Sequence, residues 1–269
     1  MIIDFHTHIF PDKIASKTIE LLMEKGGIPS FSNGSNSGLI DKMVEAGVNI
    51  SVALPAMTNP KQFESINNFA IQINEHFKDK SVRIISFAGI HPNCEDIEGK
   101  MRFIKDNGFI GVKIHPDYQG TYINDEKYVK ILECAKDLDL VVVTHSGVDG
   151  GFKGEPVKCT PTLVKNLIKK VPHSKLVLAH LGANEMHEDV IKELCGLDVY
   201  FDTAYILRFI KENTFKEIVK KHGEDRILFA TDSPWSDIKN DIEIIKSYSL
   251  GKEVEEKIFY KNAKRLLGI

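Results

Sequence analysis

The chain alternates between short apolar runs and longer amphipathic stretches. The first run, Met1-Ile2-Ile3-Asp4-Phe5-His6-Thr7-His8, fits no helical period and is rich in apolar and β-branched residues, so it predicts a strand. Regular alternation along it predicts Asp4, His6 and His8 on one face, with Phe5 and Thr7 on the other. Runs of the same kind recur at residues 48–54, 82–90, 109–115, 140–145, 175–180, 197–202 and 226–232. Segments with a helical period separate them, at about 13–24, 39–46, 60–77, 95–107, 125–138, 160–171, 185–195 and 206–222. The tail, 237–247 and 253–267, is helical by the same pattern. The stretch 26–38, dominated by Gly, Ser and Asn, carries no period and predicts either a disordered tip or a mobile flap beside a site.

Eight strands, each followed by helix, imply βαβ units and a parallel sheet. Near-continuous apolar strands such as 140–143 fit a sheet covered on both faces. Eight such units in 269 residues predict an α/β fold of the (β/α)8 TIM-barrel type, filling 1–269 as one domain. A doubly wound open sheet is the alternative, and it would not gather the strand ends into a ring.

Composition narrows the function. With 42% hydrophobic and 27% charged residues the chain can bury an ordinary globular core. A net charge of −3 gives none of the clustered basic excess that nucleic acid requires. The start does not read as a signal peptide, and no apolar run approaches the ~20 residues of a bilayer span. Cys94, Cys134, Cys159 and Cys195 lie scattered, without metal-binding or disulfide-framework spacing. Together these predict a cytoplasmic protein with reduced thiols and neither a nucleic-acid nor a membrane partner.

The unusual polar residues sit at the predicted carboxyl ends of the strands, where barrel active sites form. They are His6 and His8 on strand 1, His91 after strand 3, Lys113 and His115 on strand 4, and His145, His180, Asp202 and Asp232 on strands 5 to 8. A strand-terminal His can be capped by a loop carbonyl, and Asp before Ser-Pro is an ordinary turn residue. A closed barrel forces so many such positions together that a metal site becomes the better reading.

His6-x-His8, His145, His180 and Asp232 in Ala-Thr-Asp-Ser-Pro-Trp resemble the amidohydrolase superfamily. Gly-Val-Lys-Ile-His-Pro on strand 4 and the tail Asn262-Ala263-Lys264-Arg265-Leu266-Leu267-Gly268 resemble its amidohydrolase-2 branch, which contains aminocarboxymuconate-semialdehyde decarboxylase, resorcylate decarboxylases and many uncharacterised hydrolases. The resemblance implies one divalent ion on His6, His8, His145 and Asp232, with zinc expected and manganese, iron or cobalt able to replace it. It implies a catalytic Asp232 that takes a proton from a metal-activated water, and a catalytic His180 that orients the water or polarises a carbonyl. Lys113 is expected to anchor a substrate carboxylate; pairing with Asp4 or Asp202, a neutral amine, or a carbamate bridging two metals are its alternatives. His115, His91 and Trp235 are expected substrate contacts, with Tyr118 and Arg208 near the mouth, and Asp4 lies deeper as a supporting residue.

The leading expectation is therefore hydrolysis of an amide, lactone or ester in a small, carboxylate-bearing molecule. Non-oxidative decarboxylation of a small carboxylic acid is the alternative on the same constellation. A metal-dependent nuclease would need an acid on strand 4 in place of Lys113, and a non-catalytic metal-binding barrel would not need His180. A homodimer is the default for such a chain.

Overall fold

A computed structural model describes all residues from Met1 to Ile269. Its strands are β1 (Ile3–Thr7), β2 (Ile50–Ala53), β3 in two pieces (Arg83–Ser86 and Ala88–Gly89), β4 (Gly111–Ile114), β5 (Val141–Thr144), β6 (Leu176–Leu178), β7 (Tyr200–Asp202) and β8 (Ile227–Leu228). All neighbours pair in parallel, in chain order. Phe87 joins the two pieces of β3, donating its N–H to the Ala53 carbonyl at 2.9 Å. The ring closes where the Phe5 N–H meets the Phe229 carbonyl (2.9 Å) and the Asp232 N–H meets the His6 carbonyl (2.8 Å). This is a (β/α)8 barrel, and the open sheet is excluded by its closure.

The helices are α1 (Asp12–Gly26), α2 (Asn36–Ala46), α3 (Phe63–Phe77), α4 (Ile97–Asp106), α5 (Glu126–Asp137), α6 (Pro161–Lys170), α7 (His187–Glu193), α8 (Glu212–His222) and α9 (Ile238–Ser247). A last helix runs from α10 (Lys252–Glu256) through a π turn into α11 (Asn262–Leu267). Side chains of Ser35, Asp96, Asp125, Thr160 and Asp237 accept backbone N–H bonds at the starts of α2, α4, α5, α6 and α9, which fixes where those helices begin. No helix is long and apolar enough to cross a membrane. All four cysteines are free, as expected.

Side-chain alternation splits the core in two. Val112, Ile114, Val142, Leu176, Leu178 and Phe201 join a cluster of 51 buried residues between sheet and helices. Ile3, Phe5, Val52, Phe87, Val141, Val143, Val177 and Leu228 join a cluster of 16 that fills the barrel. β1 breaks this rule. Asp4 pairs with Ser51 but Thr7 with Ala53, so three steps along β1 match two along β2. The extra residue is a β-bulge, and it interrupts the expected alternation. Asp4 turns to Thr231, accepting its N–H at 3.0 Å and its hydroxyl at 2.6 Å, so Asp4 does not share the face of His6.

The stretch expected to be a disordered tip or flap is docked instead. Ser35 opens α2 within it, the Phe31 N–H donates to the Pro234 carbonyl (2.7 Å), and the Phe10 N–H donates to the Gly34 carbonyl (2.8 Å). It is a strap fixed to the loop after β8.

Candidate metal-centred active site

At the seam between β1 and β8, His8 Nε2 lies 3.0 Å and His6 Nε2 3.5 Å from Asp232 Oδ1. These three residues form a group able to hold one ion. Asp232 sits at φ 63°, a left-handed conformation that a non-glycine residue adopts only when its surroundings hold it, and this turns the chain out of the barrel at the site. His6 Nδ1 lies 2.9 Å from Asp202 Oδ2, and His8 Nδ1 lies 2.7 Å from the Leu54 carbonyl. Both partners accept, so each Nδ1 carries the proton and each Nε2 turns a lone pair toward Asp232. Ligand atoms around an ion with bonds of ~2.0–2.1 Å stand roughly 3.3 Å apart in a tetrahedral site. The three residues fit a divalent ion on that measure.

Asp202 is the hub of the framework. Besides His6, it accepts the backbone N–H of His180 and of Ala204, each at 3.0 Å. Burial pushes its carboxyl up to about 7, while the Lys113 ammonium works in the opposite direction. Lys113 is 1% exposed, with Nζ 3.1 Å from His6 Nε2. Burial lowers it to about 8 against the pull of Asp202 and Asp232. Lys113 therefore reaches neither Asp4 nor the open mouth; it leans on the same imidazole lone pair that an ion would use.

The fourth expected ligand stands apart from this group. His145 Nδ1 lies 2.9 Å from His180 Nε2. His180 Nδ1 lies 2.9 Å from the Ala204 carbonyl, which fixes its proton there and makes Nε2 an acceptor. The hydrogen between the two rings is thus on His145 Nδ1, and His145 Nε2 faces the other way, toward Asp149 and Asp117, 4.0 Å from an oxygen of each. The reason is local: the His145 ring stacks on His115 at 4.3 Å and 6°. Gly147, at φ 86°, also presses the loop after β5 onto Asn184, where a Cβ would meet backbone atoms at 2.2 and 2.4 Å. Burial lowers the pKa of His6, His115, His145 and His180, to about 4 for His180.

His115 lies beside His145, with Nε2 3.3 Å from Asp149 Oδ2. His91 is turned into its own loop, where Nδ1 accepts the Asn93 N–H at 3.1 Å. Trp235 is buried, its carbonyl accepting Arg208 Nη2 at 2.8 Å. The Tyr118 ring packs edge-on against His115 and Phe152. Asp117 and Asp149 escaped the sequence reading. Each stands a few residues past a strand-end histidine, Asp117 after His115 and Asp149 after His145, and that offset is the signal that would have found them.

The arrangement offers two lone-pair imidazoles, a carboxylate and a fixed ammonium, closed in by a buried acid. It can bind a metal ion and stabilise negative charge developing beside it. The amidohydrolase family model matches residues 3–269. No curated protein sequence matches the chain. Among solved structures, the dihydroxybenzoic acid decarboxylase of Polaromonas sp. JS666, with bound manganese and the inhibitor 2-nitroresorcinol, superposes with a TM-score of 0.71 at 18% identity over 99% of this chain and 96% of that one. The manganese complex of 5-carboxyvanillate decarboxylase from Novosphingobium aromaticivorans gives 0.73 at 14% identity, covering 100% of this chain and 97% of that one in its D314N form. An uncharacterised TIM-barrel protein of Bordetella bronchiseptica gives 0.75 at 17% identity, covering 99% and 98%. At these identities the likenesses establish the fold.

Proposed function

The chain belongs to the amidohydrolase family of metal-dependent enzymes, and on that footing we propose that it is a non-oxidative decarboxylase of a small carboxylic acid. The observation that carries the reading is the position of the Lys113 ammonium, 3.1 Å from His6 Nε2 and beside the His6–His8–Asp232 group. A fixed cation next to a metal position favours an anionic substrate and the electron pair left when carbon dioxide departs. The decarboxylases that share the fold over the whole chain support it. Decarboxylation, the alternative reading of the sequence, is thus put ahead of hydrolysis, its leading expectation.

A divalent ion on His6, His8 and Asp232 would bind the acid and withdraw electrons from it. Manganese stands beside zinc as the ion to load first, because the solved relatives hold it. His180 holds His145 in place through its Nε2 and borders the same space. Breaking the carbon–carboxylate bond leaves an electron pair on carbon, which takes one proton; Asp232 is the group we assign to relay it, taking the proton from solvent water and passing it to carbon. Hydrolysis of an amide, lactone or ester is the second reading, supported by the same Asp232, a carboxylate placed by both imidazoles and able to take a proton from water.

The test is product analysis of the zinc- and manganese-loaded enzyme on hydroxybenzoic acids and on lactones or amides of similar size. Carbon dioxide release from an acid is the expected result. Turnover of lactones or amides with the acids untouched would replace the proposal with hydrolysis.

A further inference from the structure

We propose that Asp4 is a positioning residue: it pins the chain after β8 to β1 and so sets the gap in which His6, His8 and Asp232 meet. This builds on the reading that those three residues take an ion, whichever reaction follows. β1 and β8 come from opposite ends of the chain. A lone bridge between Thr7 and Ser233 and a few single bonds join them in place of a continuous ladder. The Phe5 N–H donates to the Phe229 carbonyl at 2.9 Å. A regular parallel ladder would then give the Thr231 N–H, two residues on, to the Phe5 carbonyl. That N–H goes to Asp4 Oδ1 instead, at 3.0 Å. The bulge in β1 re-aims the carboxylate, and a side chain takes the place of a backbone acceptor at the seam.

Asp4 is fully buried, and both of its oxygens are used. Oδ1 also accepts the His6 N–H at 3.3 Å, and Oδ2 accepts the Thr231 hydroxyl at 2.6 Å. The Thr231 oxygen in turn accepts the Ser233 N–H at 3.1 Å, so the residues on both sides of Asp232 are tied to one acid. Asp232 itself holds φ at 63°, which an L residue keeps only when its flanks are fixed. The His8 N–H donates to the Ser233 carbonyl. His6, His8 and Asp232 thus all hang on backbone that Asp4 holds, directly or through Thr231.

The part played by Asp4 differs from that of Asp202. Asp202 turns the ring of His6 through Nδ1, whereas Asp4 places the backbone that carries the ring. Binding groups stay productive only when held to within about 0.5 Å. His8 Nε2 and His6 Nε2 reach Asp232 across the seam, at 3.0 and 3.5 Å, so slack between the strands changes both separations at once. A carboxylate near a dication also acts through its charge, and the variants below separate charge from position.

The test is the affinity of chelator-stripped protein for Mn²⁺ and Zn²⁺ by calorimetry, alongside melting curves of the ion-free chains. Asp4→Ala and Thr231→Val break the tie, and each should weaken ion binding about 10–100-fold. Together they should weaken it no further than Asp4→Ala alone, since both remove the same bond. Asp4→Asn keeps the Oδ1 acceptor and a polar partner for the Thr231 hydroxyl, and Thr231→Ser keeps the hydroxyl, so both should bind close to wild type. Phe87→Leu loosens the packing of the barrel interior on Phe5 without touching these bonds; it should lower the melting temperature and leave the affinity unchanged. Where Asp4→Ala does not fold, Thr231→Val carries the test. A loss in Asp4→Asn as large as that in Asp4→Ala would make charge the cause and overturn the proposal. So would unchanged affinity in Asp4→Ala and Thr231→Val, or an equal loss in Phe87→Leu. Wild type that takes up no ion would sink the metal reading itself, whereas normal uptake with insensitive variants would sink only the role of Asp4.

Discussion

The two sides of the barrel mouth hold their histidines in different ways. On the β1–β8 side, His6 and His8 are each gripped through Nδ1 by an acceptor from the barrel framework, Asp202 and the Leu54 carbonyl. On the β4–β5 side, His115 and His145 lean on each other, and the acids facing them come from loops. The first side presents lone pairs already aimed before any ion arrives; the second leaves buried polar atoms unpaired until something fills the gap. Ligand direction is thus written into the sheet on one side and left to loop packing on the other.

The largest effect that tests this contrast is His8→Ala. It should empty the β1–β8 group and lower turnover by roughly 10³-fold, a loss of several kcal/mol of charge stabilisation. Activity within tenfold of wild type would mean that the chemistry belongs to the β4–β5 side.

Next comes the acid behind the β1–β8 side. Asp241 on α9 is buried with both oxygens unpaired, and burial pushes it up to about 8, with Asp4 adding to the shift. Below pH ~4 the carboxyl is protonated in both folded and unfolded chains, so it has no effect there. Between ~4 and 8 the unfolded chain releases a proton that the folded chain keeps, so this group lowers stability as pH rises, by at most about 1.4 kcal/mol per pH unit. Asp241→Asn should flatten the fall in melting temperature between pH 5 and 8. An unchanged slope would place the titration elsewhere.

Asp202→Asn removes the charge that aims His6 and should weaken ion binding at the first group about 10–100-fold. Unchanged ion affinity would show that Asp202 does not aim His6.

The smallest effect falls on the loop side. Gln119 Oε1 accepts the His115 N–H at 3.1 Å and the Tyr128 hydroxyl at 2.6 Å, while its amide spans the Met57 and Ile90 carbonyls. Tyr128→Phe should cost about 1 kcal/mol in chemical denaturation and leave the ion count intact. A lost ion would show that the loop side depends on single bonds in the way the sheet side does.

The sequence alone determined the barrel, the order of its strands and the positions where polar residues end them. Those features depend on periodicity and on residue type at fixed places, and a strand such as 140–145 stands where its pattern puts it, at Val141–Thr144. It also marked His6, His8, Asp232, Lys113, His115, His145 and His180 as one constellation. Only the tertiary structure decided which of them meet. One extra residue in β1 separated Asp4 from His6, and the packing of the loop after β5 turned His145 toward Asp149. Neither a bulge nor a ring rotation leaves a period in the chain, because each is set by partners far away in sequence: β2 and Thr231 for β1, Asn184 and His115 for His145.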